Sequence, residues 1–210
     1  MSSTGPTPLA RHALPVLRGA EQLGFRCTGC GACCKSLRVA LTHLDLQRLT
    51  RALLRSGESL VEWLPPSAVE LDAERDCFVE LAEGPRLMVL AQHAGACQLL
   101  TAEQRCLVYE ARPYDCRLYP FLLERAASGA VTGLRLLELE GCGQERGPNL
   151  ELDQLAEQDR ARWAEQDQYR QLVMRWNRLA CRRRRFRHRV GGPADFLAFA
   201  AEQAEKSVGG

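Results

Sequence analysis

An α+β fold is what this sequence predicts: a cysteine-rich core of short strands and loops, followed by a long C-terminal helix. Three observations point there. Ten cysteines fall in 210 residues, most of them in two blocks punctuated by Gly and Pro. Short apolar runs separated by turn signals fill the stretches around those blocks. From Leu150 to Arg189 the chain then has neither Gly nor Pro, and its apolar residues recur at helical spacing. The expected organisation is a leader over 1–24, a cysteine-cluster domain over 25–145 and a helical region over 146–210.

Taken in order, residues 1–20 read as a loose leader with a short helix from Pro8 to Arg18. Residues 25–36 read as a loop that carries Cys27, Cys30, Cys33 and Cys34. A strand over Leu37–Leu41 is followed by a helix capped by Thr42, with Asp45 in the acidic place of a capping box. Leu46, Leu49, Leu53 and Leu54 give that helix its apolar face, and Gly57 should end it. Glu58–Leu64 reads as a further turn of helix, stopped by Pro65-Pro66. Phe78–Leu81 and Leu87–Ala91 are expected as one hairpin, and Phe121–Arg125 and Leu134–Glu140 as another. Gln98–Leu100 and Leu107–Tyr109 read as short extended pieces.

Leu152, Leu155, Tyr169, Leu172, Val173, Trp176, Leu179 and Ala180 define the long helix. Forty helical residues would span about 60 Å. A compact chain of this length is only roughly 40–45 Å wide, so such a helix must overhang the body or break. A final amphipathic helix runs from Asp195 to Glu205.

Composition narrows the function classes. The chain is 46% hydrophobic and 26% charged, which excludes disorder throughout. No window approaches the ~20 apolar residues of a membrane span. Met1–Ala20 lacks an apolar core of signal-peptide length, so a cytoplasmic location is expected, where clustered cysteines bind metal rather than pair. Of 28 basic residues, only Lys35 and Lys206 are lysine, and isoleucine is absent. That pattern is a coding bias, so abundance of Arg by itself carries little functional weight.

Cys27, Cys30 and Cys33 are three apart, with Cys34 following. Gly29 and Gly31 let the backbone curl, which brings thiolates together and turns N–H groups toward them. Three cysteines at i, i+3 and i+6 with a remote fourth is an arrangement used by [4Fe–4S] clusters, whereas structural zinc more often pairs two Cys-x₂-Cys knuckles. Cys97, Cys106, Cys116 and Cys142 form no second knuckle and are single ligand candidates, enough for one centre or two. The spacing therefore favours an iron–sulfur cluster, with zinc as the alternative. Arg26, Arg112 and Arg117 flank the blocks and are expected to offset thiolate charge. Tyr109, Tyr114 and Tyr119 read as packing residues with a hydrogen-bonded hydroxyl. Cys77 and Cys181 read as small packing or surface residues.

Cys27-x₂-Cys30-Gly31-x-Cys33-Cys34, followed by Cys97-x₈-Cys106-x₂-Tyr109-x₂-Arg112-Pro113-x₂-Cys116-Arg117-x-Tyr119-Pro120-Phe121, resembles the CxxCxxCC cysteine-cluster family. That family is described as a candidate zinc- or iron-chelating domain, and most of its members have no assigned activity. The resemblance covers about residues 25–143 and implies the ligand pool Cys27, Cys30, Cys33, Cys34, Cys97, Cys106, Cys116 and Cys142. This chain departs from the pattern at Gln98, where members often carry Pro. The domain also resembles part of flagellin lysine N-methylases, which implies a second reading, cluster-assisted methyl transfer to protein lysine. No methyl-donor motif, dinucleotide fingerprint or other catalytic signature accompanies it, so no catalytic residue is assigned.

Between Gln168 and Ala194 there are nine Arg and no acidic residue, while the remaining 19 basic residues face 26 acidic ones. Arg182, Arg183, Arg184 and Arg185 end the long helix. They suit its macrodipole, the acidic body of the protein, or an external nucleic acid or acidic protein. The sequence does not set the oligomeric state.

Overall fold

The structure, a computed structural model, describes residues 23–69, 77–127, 131–137, 142, 144–150 and 152–208, with the backbone alone for 23–26, 135–136, 144–150, 152 and 205–208. The expected helix over Pro8–Arg18, and all of the leader before 23, lie outside the described residues. The described elements are β1 (Leu23–Cys27), α1 (Ala32–Ser36), α2 (His43–Leu53), β2 (Val61–Leu64), β3 (Val79–Leu81), β4 (Gly84–Leu90), β5 (Gln92–His93), β6 (Ala96–Cys97), α3 (Tyr114–Leu118), β7 (Phe121–Arg125), β8 (Val131–Leu136), β9 (Gln144–Leu150), α4 (Leu152–Arg185) and α5 (Pro193–Val208). The fold is α+β, with small antiparallel sheets and a long helix near the C-terminus.

Thr42 caps α2 as its sequence foretells. The Asp45 N–H donates to the Thr42 hydroxyl at 3.0 Å, and the Thr42 N–H donates to the Asp45 carboxylate at 3.0 Å. The helix ends earlier than Gly57. Leu54 takes the left-handed conformation, with φ 53°, and stands exposed instead of completing the apolar face. Gly57–Leu60 is a 3₁₀ turn. The helix expected as far as Leu64 is replaced by β2, because Val61–Leu64 pairs along β4, and that tertiary ladder outweighs the weak local helix preference.

The sheet order is β2-β4-β3, and β3–β4 is the expected hairpin, entered at Gly84 with φ 106°. Residues 37–41 run beside β4 without becoming a regular strand. Only the Ala40–Val89 bridge forms, flanked by Leu90 N–H to Val39 O at 2.8 Å and Leu41 N–H to Met88 O at 3.0 Å.

α4 is continuous over 34 residues, about 51 Å of helix. It is shorter than the Gly- and Pro-free run predicts. It ends in a Schellman turn, with the His188 N–H on Arg183 O at 2.8 Å and the Arg187 N–H on Arg184 O at 3.1 Å. Its inner face, Tyr169, Leu172, Val173 and Trp176, joins Leu49, Leu60, Val79, Met88 and Phe196 in the main core, and Ala180, one turn further on, is also buried. Leu179 lies outside that face and is 42% exposed. Phe196 of α5 is fully buried and meets Trp63, Tyr169 and Trp176 edge-on, with centroids 5.4–6.5 Å apart. Asn177 closes the free edge of β3: its amide donates to Phe78 O and accepts from the Glu80 N–H, both at 2.8 Å. A smaller core of Leu118, Phe121, Leu134 and Leu155 joins α3 and the β7–β8 hairpin to the start of α4.

Candidate metal centre

Four local devices bring distant cysteines to one place. In the first segment Gly31 adopts φ 72° and caps α1, so the chain turns from β1 into a helical turn that carries Cys33 and Cys34. A side chain at Gly31 would meet Leu100 Cδ1 at 3.0 Å and Gln104 O at 3.3 Å, so this glycine is what lets the first cysteine segment lie against the second. That second segment is a tight excursion closed by the Leu107 N–H on Leu99 O at 2.9 Å and by the Leu100–Cys106 bridge, which sets Cys97 and Cys106 at its two ends. Pro113, fully buried, caps α3 and accepts the Arg117 N–H at 3.1 Å, and α3 presents Cys116. Finally, β9 pairs antiparallel with β1, with Cys27 opposite Gln144, and this returns the chain so that Cys142 arrives beside the first segment.

The result is a cleft of about 400 Å³ lined by Cys27, Cys30, Cys33, Cys34, Cys97, Cys106, Cys116 and Cys142. Cys77 and Cys181 are not in its lining. All ten cysteines are free thiols. The apolar wall includes Leu90, Leu99 and Val108, which are also core residues, so the cleft floor is the edge of the main core. His43, by contrast, is buried away from the cleft and stacked on Tyr169 at 6.0 Å.

Thiols this close perturb one another. A hydrogen bond from the Cys34 thiol pulls Cys33 down to about 6, and the Arg112 guanidinium adds to that pull. The same bond drives Cys34 in the opposite direction, reinforced by burial and by Cys33, Cys97 and Cys106. Burial raises Cys97 and Cys116, and neighbouring thiols push both further. Cys142 is raised to about 11 by burial and by hydrogen bonding with Cys30. Tyr119, at the cleft wall, rises to about 12 through burial and the charge of Cys142, Cys33 and Cys30. Burial and mutual repulsion therefore hold Cys34, Cys97, Cys116 and Cys142 toward the neutral thiol, and ionising several of them together would require compensating positive charge in the same space.

The residues expected to offset that charge divide. Arg112 and Tyr109 line the cleft, with the guanidinium 3.5 Å from the ring centroid and its Nε donating to Tyr109 O at 2.7 Å. Tyr109 is half-exposed and is a platform for Arg112 more than a packed core residue. Arg117 is not in the lining; it braces the loop, donating to Arg112 O at 2.8 Å and Glu110 O at 2.6 Å. The Arg26 side chain lies outside the described residues. Sequence reasoning missed Arg105, which lines the cleft from the position just before Cys106, and the adjacency itself was the available signal. It also missed β9, whose Gly147-Pro148 pair hides a strand. At Gln98, the departure from the family pattern, the N–H donates to Ala91 O at 3.2 Å, a bond that proline cannot make.

No curated protein and no solved structure matches this chain. One family model matches, over residues 26–133; the span takes in the cysteines from Cys27 to Cys116 and leaves Cys142 beyond its end. Because that match covers more than half of the chain, the protein belongs to the CxxCxxCC family, described as "Putative zinc- or iron-chelating domain".

Proposed function

We propose that the cleft is a metal centre holding an iron–sulfur cluster, [4Fe–4S] foremost, with structural zinc as the alternative that the same donors accommodate. The observation that carries this reading is that all eight cysteines of the family-like pattern line one cleft, and the two outside the pattern do not. Zinc bound by sulfur at about 2.3 Å needs its ligands nearly in mutual contact. Among the described residues, no three His, Cys, Asp or Glu side chains are grouped tightly enough for a single ion. Thiols spread around a larger space suit a polynuclear core better. Cys142, which hydrogen-bonds with Cys30, answers the need for a remote fourth partner to Cys27, Cys30 and Cys33. Cys34, Cys97, Cys106 and Cys116 remain for a second centre.

A bound cluster would supply one-electron chemistry, and zinc would supply folding energy. The chain's own contribution is to hold the thiols, to balance them with Arg112 and to wall them with apolar side chains. A reducing, cytoplasmic setting belongs to the same reading, because so many unpaired thiols around one cleft would otherwise oxidise.

Anaerobically purified protein should contain iron and acid-labile sulfide and show a broad visible absorption that bleaches with dithionite. Colourless protein with stoichiometric zinc replaces the cluster by a structural zinc site. Protein free of iron and zinc after that care overturns both.

A further inference from the structure

We propose that the outer face of the C-terminal half of α4 is a docking surface for the phosphate backbone of a nucleic acid strand. The arginine run has an intramolecular explanation, and the structure limits how far it reaches. Arg184 folds back onto the body, donating to the Glu80 carboxylate at 2.5 Å and to Leu81 O at 2.8 Å, and Arg189 pairs with Asp195 at 2.7 Å. Arg175, Arg178, Arg182 and Arg185 do neither. All four are exposed, and among the described residues none makes an ion pair. Their spacing of three and four residues sets them in one stripe, opposite the buried face formed by Leu172, Val173, Trp176 and Ala180. Like charges at that spacing repel one another, so the stripe stands as an uncompensated cost that an external polyanion would remove.

The chemistry of the stripe favours a phosphate backbone over other polyanions. The ten helical steps from Arg175 to Arg185 span about 15 Å, the axial length of roughly four phosphates of one strand. Guanidinium groups form bidentate pairs with phosphate oxygens. Met174, Leu179 and Phe186, exposed at 52%, 42% and 63%, flank the arginines, where sugars and bases would lie, and Phe186 offers a ring for stacking. On a membrane-binding helix the apolar side chains would occupy the centre of the face, with the cations at its edges. The helix end adds a further sign. Arg187 holds the left-handed position of the Schellman turn with φ 57°, where glycine would fit without strain, and it carries the positive line beyond the last turn.

The test uses the full-length, metal-loaded protein and an unstructured single-stranded RNA oligonucleotide, read by fluorescence anisotropy across a salt series. The wild type should bind with a log–log salt slope of about −3, the value for four phosphate contacts on a single strand. Replacing Arg175, Arg178, Arg182 and Arg185 by Gln should bring that slope close to zero, with metal content and melting temperature retained. Should the fourfold variant fold poorly, Arg178→Gln and Arg182→Gln singly should each reduce the slope by about 0.7. Arg51→Gln with Arg55→Gln, exposed elsewhere, should leave it unchanged. Equal binding by wild type and variants overturns the proposal. So does a wild type that prefers polyglutamate or anionic phosphatidylglycerol vesicles to RNA.

Discussion

The main core and the cysteine cleft share Leu90, Leu99 and Val108, yet they are organised by different physics. The core is apolar burial on three sides of Phe196: Leu49, Leu60, Val79, Met88, Leu172 and Phe196 are all at 0% exposure. The cleft is built from pieces of two to seven residues, α1 has no buried residue, and its thiols are half-buried or exposed. One region buries enough surface to order itself. The other is assembled by glycine turns, a proline cap and a short strand pair, and its thiols resist being ionised together. The core therefore serves as scaffold for the cleft, and perturbing it should act through stability first.

The largest expected effect follows from that difference. Phe196→Ala should cost about 3–5 kcal/mol in chemical denaturation, because it leaves a cavity among three aromatic rings. A loss below about 1 kcal/mol would mean that the core, too, depends on the metal-binding region for its order.

Acid should act on the core through His43. Burial, with a contribution from Arg175, depresses it from 6.5 to about 4. Between those values the unfolded chain binds the proton more readily than the folded one, so stability is full above about pH 6.5 and falls as the pH drops toward 4. The loss should reach on the order of 2–3 kcal/mol. His43→Gln, compared with the wild type in a pH series of melts, should flatten that decline, and an unchanged slope would contradict the assignment.

Thr42→Ala removes the capping box and should cost about 1–2 kcal/mol while leaving metal content intact. Leu54→Gly should have the smallest effect and the opposite sign. It relieves a left-handed leucine that is 92% exposed and should stabilise by roughly 0.5–1 kcal/mol.

Which parts of this contrast were legible in the sequence follows from the same physics. The capping box, both hairpins and most of the buried face of α4 are local patterns with a fixed period, and they are present. The second hairpin strand, however, runs over Val131–Leu136 in place of the expected Leu134–Glu140, of which 138–140 lie outside the described residues. β4 begins at Gly84, and Leu179 is exposed. β2, β9 and the early end of α2 were not, because each depends on a partner far along the chain or on a left-handed residue that no glycine announced. The cysteine set was legible as spacing and resemblance. That Cys142 joins Cys30 while Arg117 turns away from the cleft was not, since both follow from the β1–β9 pairing and the course of the loop before α3.

The central claim, that the cleft thiols and no others hold the metal, is tested most directly by counting iron, sulfide and zinc per chain in Cys30→Ser and Cys181→Ser proteins purified alongside the wild type. Cys181→Ser should match the wild type, and Cys30→Ser should lose metal and the visible band together. Full metal in Cys30→Ser, or equal loss in both variants, would contradict the account.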